Sequence, residues 1–172
     1  MKRIKSILVV AMLLVACWRA NAQEDLAKNE LKADVAYIIL DGTLKVEYEH
    51  LLNEWSGLGA MAAYNLSGDN FNMRFQMLGF YRLYFGKQPV SGFFLEGNMG
   101  ITTRNNYQYI NYHPYEVRKT TTAFGVGIAL GWKWHIEKSN IVLDIFGGSG
   151  RLFNSNSNEI YPRVGICVGK RF

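Results

Sequence analysis

The sequence has little cysteine, a nearly neutral mature region and no apolar run long enough for a membrane helix. Two cysteines in 172 residues exclude a fold built on a disulfide framework. A mean hydropathy of −0.05 excludes a helical protein that crosses a membrane several times. A hydrophobic content of 49% argues against disorder, and the length predicts one domain.

The positive net charge is concentrated at the N-terminus. The formal net charge is +5, but Lys2, Arg3, Lys5 and Arg19 precede all 14 acidic residues. The chain beyond residue 22 is therefore almost neutral. Because nucleic-acid binding depends on a basic surface, we expect no nucleic-acid partner.

The first 22 residues have the pattern of a secretory signal peptide. Three basic residues lie within the first six positions, and an uninterrupted apolar run follows at 7–17. This run is too short to span a bilayer as a stable helix. Ala20 and Ala22 form a small-residue cleavage pattern before Gln23. We predict cleavage after Ala22, which leaves a mature barrel domain at 23–172.

A second interpretation of the leader stays open. The stretch Leu14–Cys17 resembles the lipobox of bacterial lipoproteins, in which Cys17 would become the lipidated first residue. Cleavage after Ala22 is favoured because residues 18–22 form a well-developed cleavage region. Either processing leaves Cys167 as the free thiol of the mature chain, so no intrachain disulfide is expected.

Beyond the leader, apolar and polar residues alternate with a period of two. In 121–136 the even positions from Phe124 to Ile136 are bulky and apolar, whereas the odd positions are small residues, Lys133 and His135. Such alternation indicates a β-strand with one apolar face. Its length exceeds the usual five or six residues and suits a tilted membrane strand. The pattern predicts eight strands, at 31–40, 44–52, 57–65, 73–85, 91–103, 121–136, 141–153 and 161–172.

The predicted connections alternate in length. The short turns are 53–56, 86–89 and 137–140, and the other connections are 41–43, 66–72, 104–120 and 154–160. Short turns at one end and longer loops at the other are typical of bacterial outer-membrane barrels, with the chain starting in the periplasm. The short outer connection contains Asp41-Gly42, a pair that favours a tight hairpin.

These features predict an all-β fold, an eight-stranded antiparallel up-and-down transmembrane β-barrel. In lipid every backbone donor and acceptor needs a partner, so a spanning sheet has to close on itself. Aromatic side chains near the periplasmic turns would form an interfacial girdle. The alternative is that they are core residues of a water-soluble barrel. The predicted girdle consists of Trp55, Phe85, Phe93, Trp132, Trp134 and Phe172.

Charged residues on the opposite face of the strands predict a filled lumen. An eight-stranded barrel has room inside only for side chains, and charges there have to be paired or hydrated. We therefore predict an interleaved salt-bridge network and no open diffusion pore. Its members are Lys45, Glu47, Glu49, Arg82, Glu96, Lys133, Asp144 and Arg163, with Lys32, Asp34, Arg74 and Arg171 on the same face. Of these, Lys32, Arg74 and Arg171 are expected near a rim in water.

Three strand segments resemble those of small outer-membrane barrels of the OmpA/OmpX type. They are 92–98, 125–134 and 143–151, and they are more similar still to the uncharacterised outer-membrane β-barrel proteins common in Bacteroidota. The terminal Gly169–Phe172 resembles the closing strand of such proteins, whose last aromatic residue is read by the barrel-assembly machinery. The resemblance implies outer-membrane lipid and that machinery as partners, but no molecular activity.

No residue pattern indicates catalysis, and we expect neither a cofactor nor a metal. His50, His113 and His135 lack the spacing of metal ligands. A few barrels of this kind modify lipids, and His50, Ser149 and Glu49 could supply a Ser/His/acid set, although no nucleophile motif supports them. A further alternative is a soluble periplasmic lipocalin-like barrel that binds an apolar ligand.

The connection 104–120 is the candidate contact site for a partner. Long loops are often functional, and this one holds Tyr107, Tyr109, Tyr112 and Tyr115 among Asn and Arg residues. Such a mixture suits contacts with a surface protein or a glycan. The open alternatives are a solvated loop or two strands that extend above the membrane as a tyrosine-rich ridge.

Overall fold

The computed structural model describes residues 27–66, 73–109, 116–153 and 159–172. Strands dominate these residues, and one short helix interrupts them. The elements are β1 (Asn29–Asp34), α1 (Val35–Asp41), β2 (Thr43–Asn53), β3 (Ser56–Asn65), β4 (Met73–Tyr84), β5 (Gly92–Tyr109), β6 (Glu116–Ile136), β7 (Ile141–Phe153), β8 (Ile160–Pro162) and β9 (Gly165–Arg171). Both β8 and β9 pair with β7, so they are two parts of one bent eighth strand.

The strands form a closed antiparallel barrel. Each strand pairs with its neighbour in the chain, and β1 also pairs with β9, which joins the two edges of the sheet. The predicted eight-stranded antiparallel β-barrel is therefore confirmed. Among the described residues, no helix is long and apolar enough to cross a membrane.

The two ends of the barrel differ. At the turn end lie the short connections 54–55, 85–91 and 137–140 together with the start and end of the sheet, where Asn29 and Phe172 exchange backbone hydrogen bonds of 2.9 and 2.8 Å. The opposite, loop end carries α1 and the longer connections. The connection lengths predicted the short turns at one end and the longer connections at the other, but not α1.

The hairpin of β5 and β6 extends beyond its neighbours at the loop end. Its pairing is continuous from Gly92–Lys133 to Tyr109–Glu116, whereas β7 pairs with β6 only as far as Phe124. The prediction of an irregular loop across 104–120 is therefore wrong for its two flanks, and the extended-strand alternative is correct there. Ladder hydrogen bonds continue as long as two strands remain antiparallel and in register.

The first predicted strand is wrong beyond Asp34. Residues 35–41 form α1 instead of continuing a strand. The Asp34 side chain accepts hydrogen bonds from the backbone N–H groups of Ala36 and Tyr37, and Gly42 ends the helix with a left-handed φ of 67°. Gly42 is therefore a helix C-cap rather than part of a two-residue hairpin. Because 35–40 is uniformly apolar, periodicity could not distinguish the helix from a strand.

The early end of β1 leaves a seam in the wall between β2 and the eighth strand. The ladder of β1 stops at Ala33–Val46 on one side and Asp34–Cys167 on the other. Beyond that level α1 packs against β2 and β9. The seam thus replaces strand pairing with helix packing on one side of the barrel.

Two side chains bond backbone groups of the eighth strand at this seam. The Lys45 Nζ donates to the Val164 carbonyl at 2.8 Å and to Asp34 at 2.8 Å. Asp34 also accepts the Ile166 N–H at 3.4 Å. Because an unpaired buried backbone group is costly, these bonds compensate for the missing strand residues.

Candidate functional site: the charged interior

Inward and outward side chains differ sharply in polarity. Arg82, Glu49 and Glu96 are fully buried inside the barrel, whereas Ile128 and Leu130 on the outer face are 67% and 56% exposed. Because successive residues of a strand point to opposite faces, the same strands build both surfaces. The barrel thus has a polar interior and an apolar exterior.

Arg82 lies at the centre of the interior. Its guanidinium pairs with Glu47 and Glu49 at 3.1 Å, and with Glu96 and Asp144 at 2.8 Å. These carboxylates come from β2, β5 and β7, so one side chain of β4 connects three other strands. Five N–H donors in a planar fork allow arginine to bind several carboxylates at once.

Glu49 is the matching acidic centre. One of its carboxylate oxygens accepts from Lys32 at 2.7 Å, from Lys133 at 2.9 Å and from Arg82 at 3.1 Å. Its other oxygen accepts the hydroxyl hydrogen of Tyr84. Three cations around one carboxylate compensate for the loss of its hydration inside the barrel.

Two further arginines extend the network. Arg163 pairs with Glu47 at 2.7 Å and with Glu96 at 2.8 Å. Arg171 pairs with Glu30 at 2.7 Å near the turn end. The network, here named the central cluster, joins five acids and five bases: Glu30, Glu47, Glu49, Glu96, Asp144, Lys32, Arg82, Lys133, Arg163 and Arg171.

The structure places all eight residues of the predicted network on the inner face. Seven of them belong to the central cluster, and Lys45 pairs with Asp34 at the seam. The expectation that Lys32 and Arg171 lie in water is wrong, because these residues are 1% and 7% exposed and paired with acids. Arg74 is exposed, next to a register irregularity between Met73 and Phe75.

Two members of this interior were not predicted from the sequence. Glu30 was left out because the predicted first strand began one residue too late, although it has the same parity as Lys32. Tyr84 was overlooked because an aromatic residue gives no polar signal in an alternation pattern. Its position two residues after Arg82 on β4 was the available clue.

Apolar groups fill the interior on both sides of the charges. Towards the loop end, Leu78, Phe80 and Tyr161 belong to one buried group. The Tyr161 hydroxyl donates a 2.6 Å hydrogen bond to the Asn98 side chain. The Cζ atom of its ring lies only 2.1 Å from the point where a Cβ on residue 150 would be. Glycine at position 150 therefore makes room for the ring.

The turn end is packed in a similar way. A second buried group runs from Val90 at the turn end up to the charges, where the Phe146 ring centre lies 4.4 Å from the guanidinium carbon of Arg163. Its members are Leu51, Tyr84, Val90, Phe94, Phe146 and Cys167. Val90 comes from the connection between β4 and β5, and its carbonyl accepts a 3.1 Å hydrogen bond from Arg171. Its N–H donates to the Glu54 carbonyl at 2.9 Å. The connection thus folds under the barrel instead of projecting from it.

The six predicted girdle residues lie around the turn end. Trp55, Phe85, Phe93, Trp132 and Trp134 have exposed side chains, and Phe172 is half-buried. The rings of Phe85 and Phe93 are 6.0 Å apart, and those of Trp132 and Trp134 are 6.3 Å apart. They form an aromatic group on the outer face at one end of the barrel.

Other predicted residues stand apart from this interior. Tyr107 and Tyr109 lie at the loop end of β5, whereas Tyr112 and Tyr115 fall outside the described residues, as do Ala20, Ala22 and Gln23. Within the described ranges, no group of three or more His, Cys, Asp or Glu residues could hold a metal ion.

The alternative catalytic set does not come together. Glu49 points into the barrel, whereas His50 and Ser149 are exposed on the outer face. His50 also lies on β2 and Ser149 on β7, which are not neighbouring strands. A Ser/His/acid relay requires direct hydrogen bonds between its members.

Comparisons with known proteins support the fold. No protein-family model matches the chain, and no curated protein matches it. The chain is similar to the crystal structure of the N-terminal β-barrel domain of Pseudomonas aeruginosa OprF, with a TM-score of 0.50 and 17% identity. The match covers 84% of this chain and 96% of that domain. At this identity the similarity concerns the barrel architecture.

Proposed function

We propose that this chain is an integral outer-membrane β-barrel protein with a structural or surface-interaction role and a plugged polar lumen. The observation that carries the proposal is the reversed distribution of polarity: twelve charged side chains are buried within the barrel, and the outer face is apolar. Water would favour the opposite arrangement. The β-barrel fold that the chain shares with the N-terminal domain of OprF is in keeping with this proposal.

The outer face suits a bilayer in two further respects. The apolar side chains of β6 run without a polar interruption from Phe124 to Ile136, about the length that a tilted membrane strand requires. Aromatic residues gather at the turn end, where amphipathic rings such as those of Trp55 and Trp132 would meet the membrane interface.

Heat-modifiable migration tests the membrane assignment. We expect the unheated protein from the outer-membrane fraction to migrate as a compact barrel on a detergent gel, and the boiled protein to migrate differently. Recovery of the folded chain as a water-soluble periplasmic protein would overturn the proposal. A boiled sample of the same fraction is the internal control.

The lumen is proposed to be closed to diffusion. The central cluster and the apolar groups around Phe80 and Phe94 occupy the interior at successive levels. We expect planar-bilayer recordings of the purified protein to lack a large, steady conductance. A porin-like conductance that persists in independent preparations would contradict this part of the proposal.

The alternative functions have less support. A lipocalin-like barrel needs an apolar interior for its ligand, whereas this interior holds paired charges such as Arg82–Glu96. A lipid-modifying enzyme needs a nucleophile and base in contact, and the separation of Ser149 from Glu49 and His50 gives no such pair. We therefore propose a non-enzymatic protein without a cofactor.

Contacts with a surface protein or glycan are proposed at the β5–β6 extension. Residues 105–109 and 116–120 form a two-strand ribbon beyond the ends of the neighbouring strands. Open strand edges can accept another strand by backbone hydrogen bonding. Tyr107 and Tyr109 belong to this ribbon.

Deletion of 106–117 tests the ribbon. We expect folding and insertion to remain intact, because shortening a surface loop changes closure entropy little. Retention of biotin-labelled surface proteins and purified surface polysaccharide from the same cells should be lost. The double substitution Tyr107→Ser and Tyr109→Ser removes two tyrosine side chains but keeps the strand backbone. It is therefore the control for binding by strand addition, which uses backbone hydrogen bonds. Unchanged retention by the deleted chain would contradict the assignment.

Export and assembly complete the proposal. Residues 1–22 would direct secretion with cleavage before Gln23, and Phe172 at the end of the closing strand would be read by the barrel-assembly machinery. The strand patterns at 92–98, 125–134 and 143–151 support a place among the outer-membrane β-barrel proteins of Bacteroidota. Mass spectrometry of the mature N-terminus would test the cleavage site.

A further inference from the structure

The apolar outer face has a groove with a charged residue at its loop-end side. The groove has a volume of about 710 Å³ and lies across β6, β7 and β8. Its lining residues are Val126, Gly127, Ile128, Ser149, Gly150, Arg151 and Ile160. The outward positions of β7 from Ile141 to Phe153 are apolar or glycine except at Ser149 and Arg151.

The walls and floor of the groove have different chemistry. Ile128 on β6 and Ile160 on β8 are 67% and 66% exposed and form apolar walls. Between β6 and β8, β7 contributes the small Ser149, which lies in register with Ile128 on one side and with Pro162 on the other and forms the floor of the groove. Arg151 lies in register with Ile160 on one side and with Val126 on the other. A cation thus lies at one end of an apolar channel.

The height of Arg151 favours a phosphate over an acyl chain as its partner. Arg151 is ten residues beyond Ile141 on β7. With a rise of about 3.3 Å per residue and a tilt of about 40°, it lies roughly 25 Å above Ile141, measured along the barrel axis. The apolar band of outer-membrane barrels is also about 25 Å tall, so a band that begins at Ile141, the first residue after the turn 137–140, places the guanidinium at the headgroup level of the leaflet at the loop end.

We propose that this groove binds an acylated lipid with an anionic phosphate headgroup from the leaflet at the loop end. Arg151, next to Ile160, binds the phosphate, and an acyl chain runs from there over Ser149 and along Ile128. Arginine binds phosphate oxygens through two parallel N–H donors, which suits this role. This inference rests on the membrane assignment proposed above.

Lipid binding to the purified full chain in octyl glucoside micelles tests the groove. Native mass spectrometry would compare phosphatidic acid with a diacylglycerol of the same acyl chains, and with inorganic phosphate alone. We expect phosphatidic acid to bind about tenfold more tightly than diacylglycerol, the factor that one charge-assisted hydrogen bond supplies. Inorganic phosphate should not compete at the same concentration, because it lacks the acyl chain.

Three variants separate the contributions. Arg151→Gln should remove the preference for phosphatidic acid, and Ser149→Phe should weaken both lipids because the ring fills the floor. Arg74→Gln removes another exposed arginine outside the groove and should leave binding unchanged. Equal losses in Arg74→Gln and Arg151→Gln, or full binding by Arg151→Gln, would overturn the inference. Competition by inorganic phosphate at equal concentration would also overturn it.

The failure of this inference differs from the failure of the membrane assignment. If the unaltered chain shows no heat-modifiable migration, the assignment itself is wrong. If the chain migrates as a barrel but binds both lipids equally, only the groove proposal is wrong. Each variant is first checked by the same migration assay, so a loss of binding is attributed only to chains that fold.

Discussion

The inner and outer faces of the wall are built by the same strands but stabilised by opposite interactions. On β4, Arg82 is fully buried and its neighbour Leu83 is 40% exposed; on β7, Asp144 is fully buried and Ile145 is 43% exposed. Inside, a charge is stabilised by other charges that reach it from across the barrel. Outside, an apolar side chain needs only an apolar surrounding. The inner face therefore depends on particular partners, and the outer face on its solvent.

This difference has consequences for substitutions. An inward residue such as Arg82 has several partners, so its removal takes one cation from each of four buried carboxylates. An outward residue such as Leu130 has no specific partner to lose, and its replacement is costly only when the new side chain is polar. The following substitutions test this contrast, from the largest expected effect to the smallest.

Arg82→Met should have the largest effect, because it leaves Glu47, Glu49, Glu96 and Asp144 without their shared cation. We expect the free energy of unfolding to fall by about 3–5 kcal/mol. Urea unfolding from lipid vesicles, followed by heat-modifiable migration, measures it. The exposed Arg74→Met is the matched control, with a change within about 0.5 kcal/mol. Similar stability of the two variants would contradict the role of the central cluster.

Leu130→Arg tests the outer face near the middle of the apolar band. If that face meets lipid, the substitution should cost about 2–4 kcal/mol of unfolding free energy. The control is Ile136→Arg at the turn end of the same strand, which should cost about 0–1 kcal/mol because the charge lies near the interface. The same urea titration in vesicles gives both values. Equal costs at the two depths would argue against a bilayer around the barrel.

Lys45→Met tests whether side chains replace the missing strand pairs at the seam. The substitution removes the bonds to Asp34 and to the Val164 carbonyl. We expect a loss of about 1–3 kcal/mol. The amide of Ile166 should exchange faster with solvent deuterium, while amides in the β5–β6 ladder keep their protection. The exposed Lys28→Met is the control, and unchanged exchange at Ile166 would show that Lys45 does not stabilise the seam.

Trp134→Ala should have the smallest effect of the four. It removes one ring of the Trp132–Trp134 pair, whose centroids are 6.3 Å apart, from the edge of the outer face. We expect a loss of about 1 kcal/mol in vesicles. Trp134→Phe keeps an aromatic ring and should recover most of this loss. A cost as large as that of Arg82→Met would mean that the outer face depends on particular partners after all.

The sequence predicted much of the barrel because alternation carries the needed information locally. In the part of β6 from 124 to 136, bulky residues at even positions and small or charged residues at odd positions identify the strand and its two faces within the segment itself. The charged set of the interior followed from the same parity, without any knowledge of which acid meets which base. Glu30 was missed by one residue of strand boundary.

Local patterns misled where two structures fit the same composition. The apolar run at 35–40 suits a strand as well as a helix, and only the caps Asp34 and Gly42 distinguish the two. The expected exposure of Lys32 and Arg171 to water failed for a different reason. Their depth depends on how far the opposite wall reaches, which one strand cannot reveal.

The sequence by itself determined the strands, their two faces and the charge balance of the interior, because each follows from a period of two along the chain. Only the tertiary structure decided that Arg82 of β4 meets carboxylates from β2, β5 and β7, and that Asp34 and Lys45 bridge the seam. It also decided that Ser149 and Arg151 share a groove with Ile160. These contacts join residues far apart in the chain, and they exist only because closure of the sheet fixes the register of every strand against its neighbours.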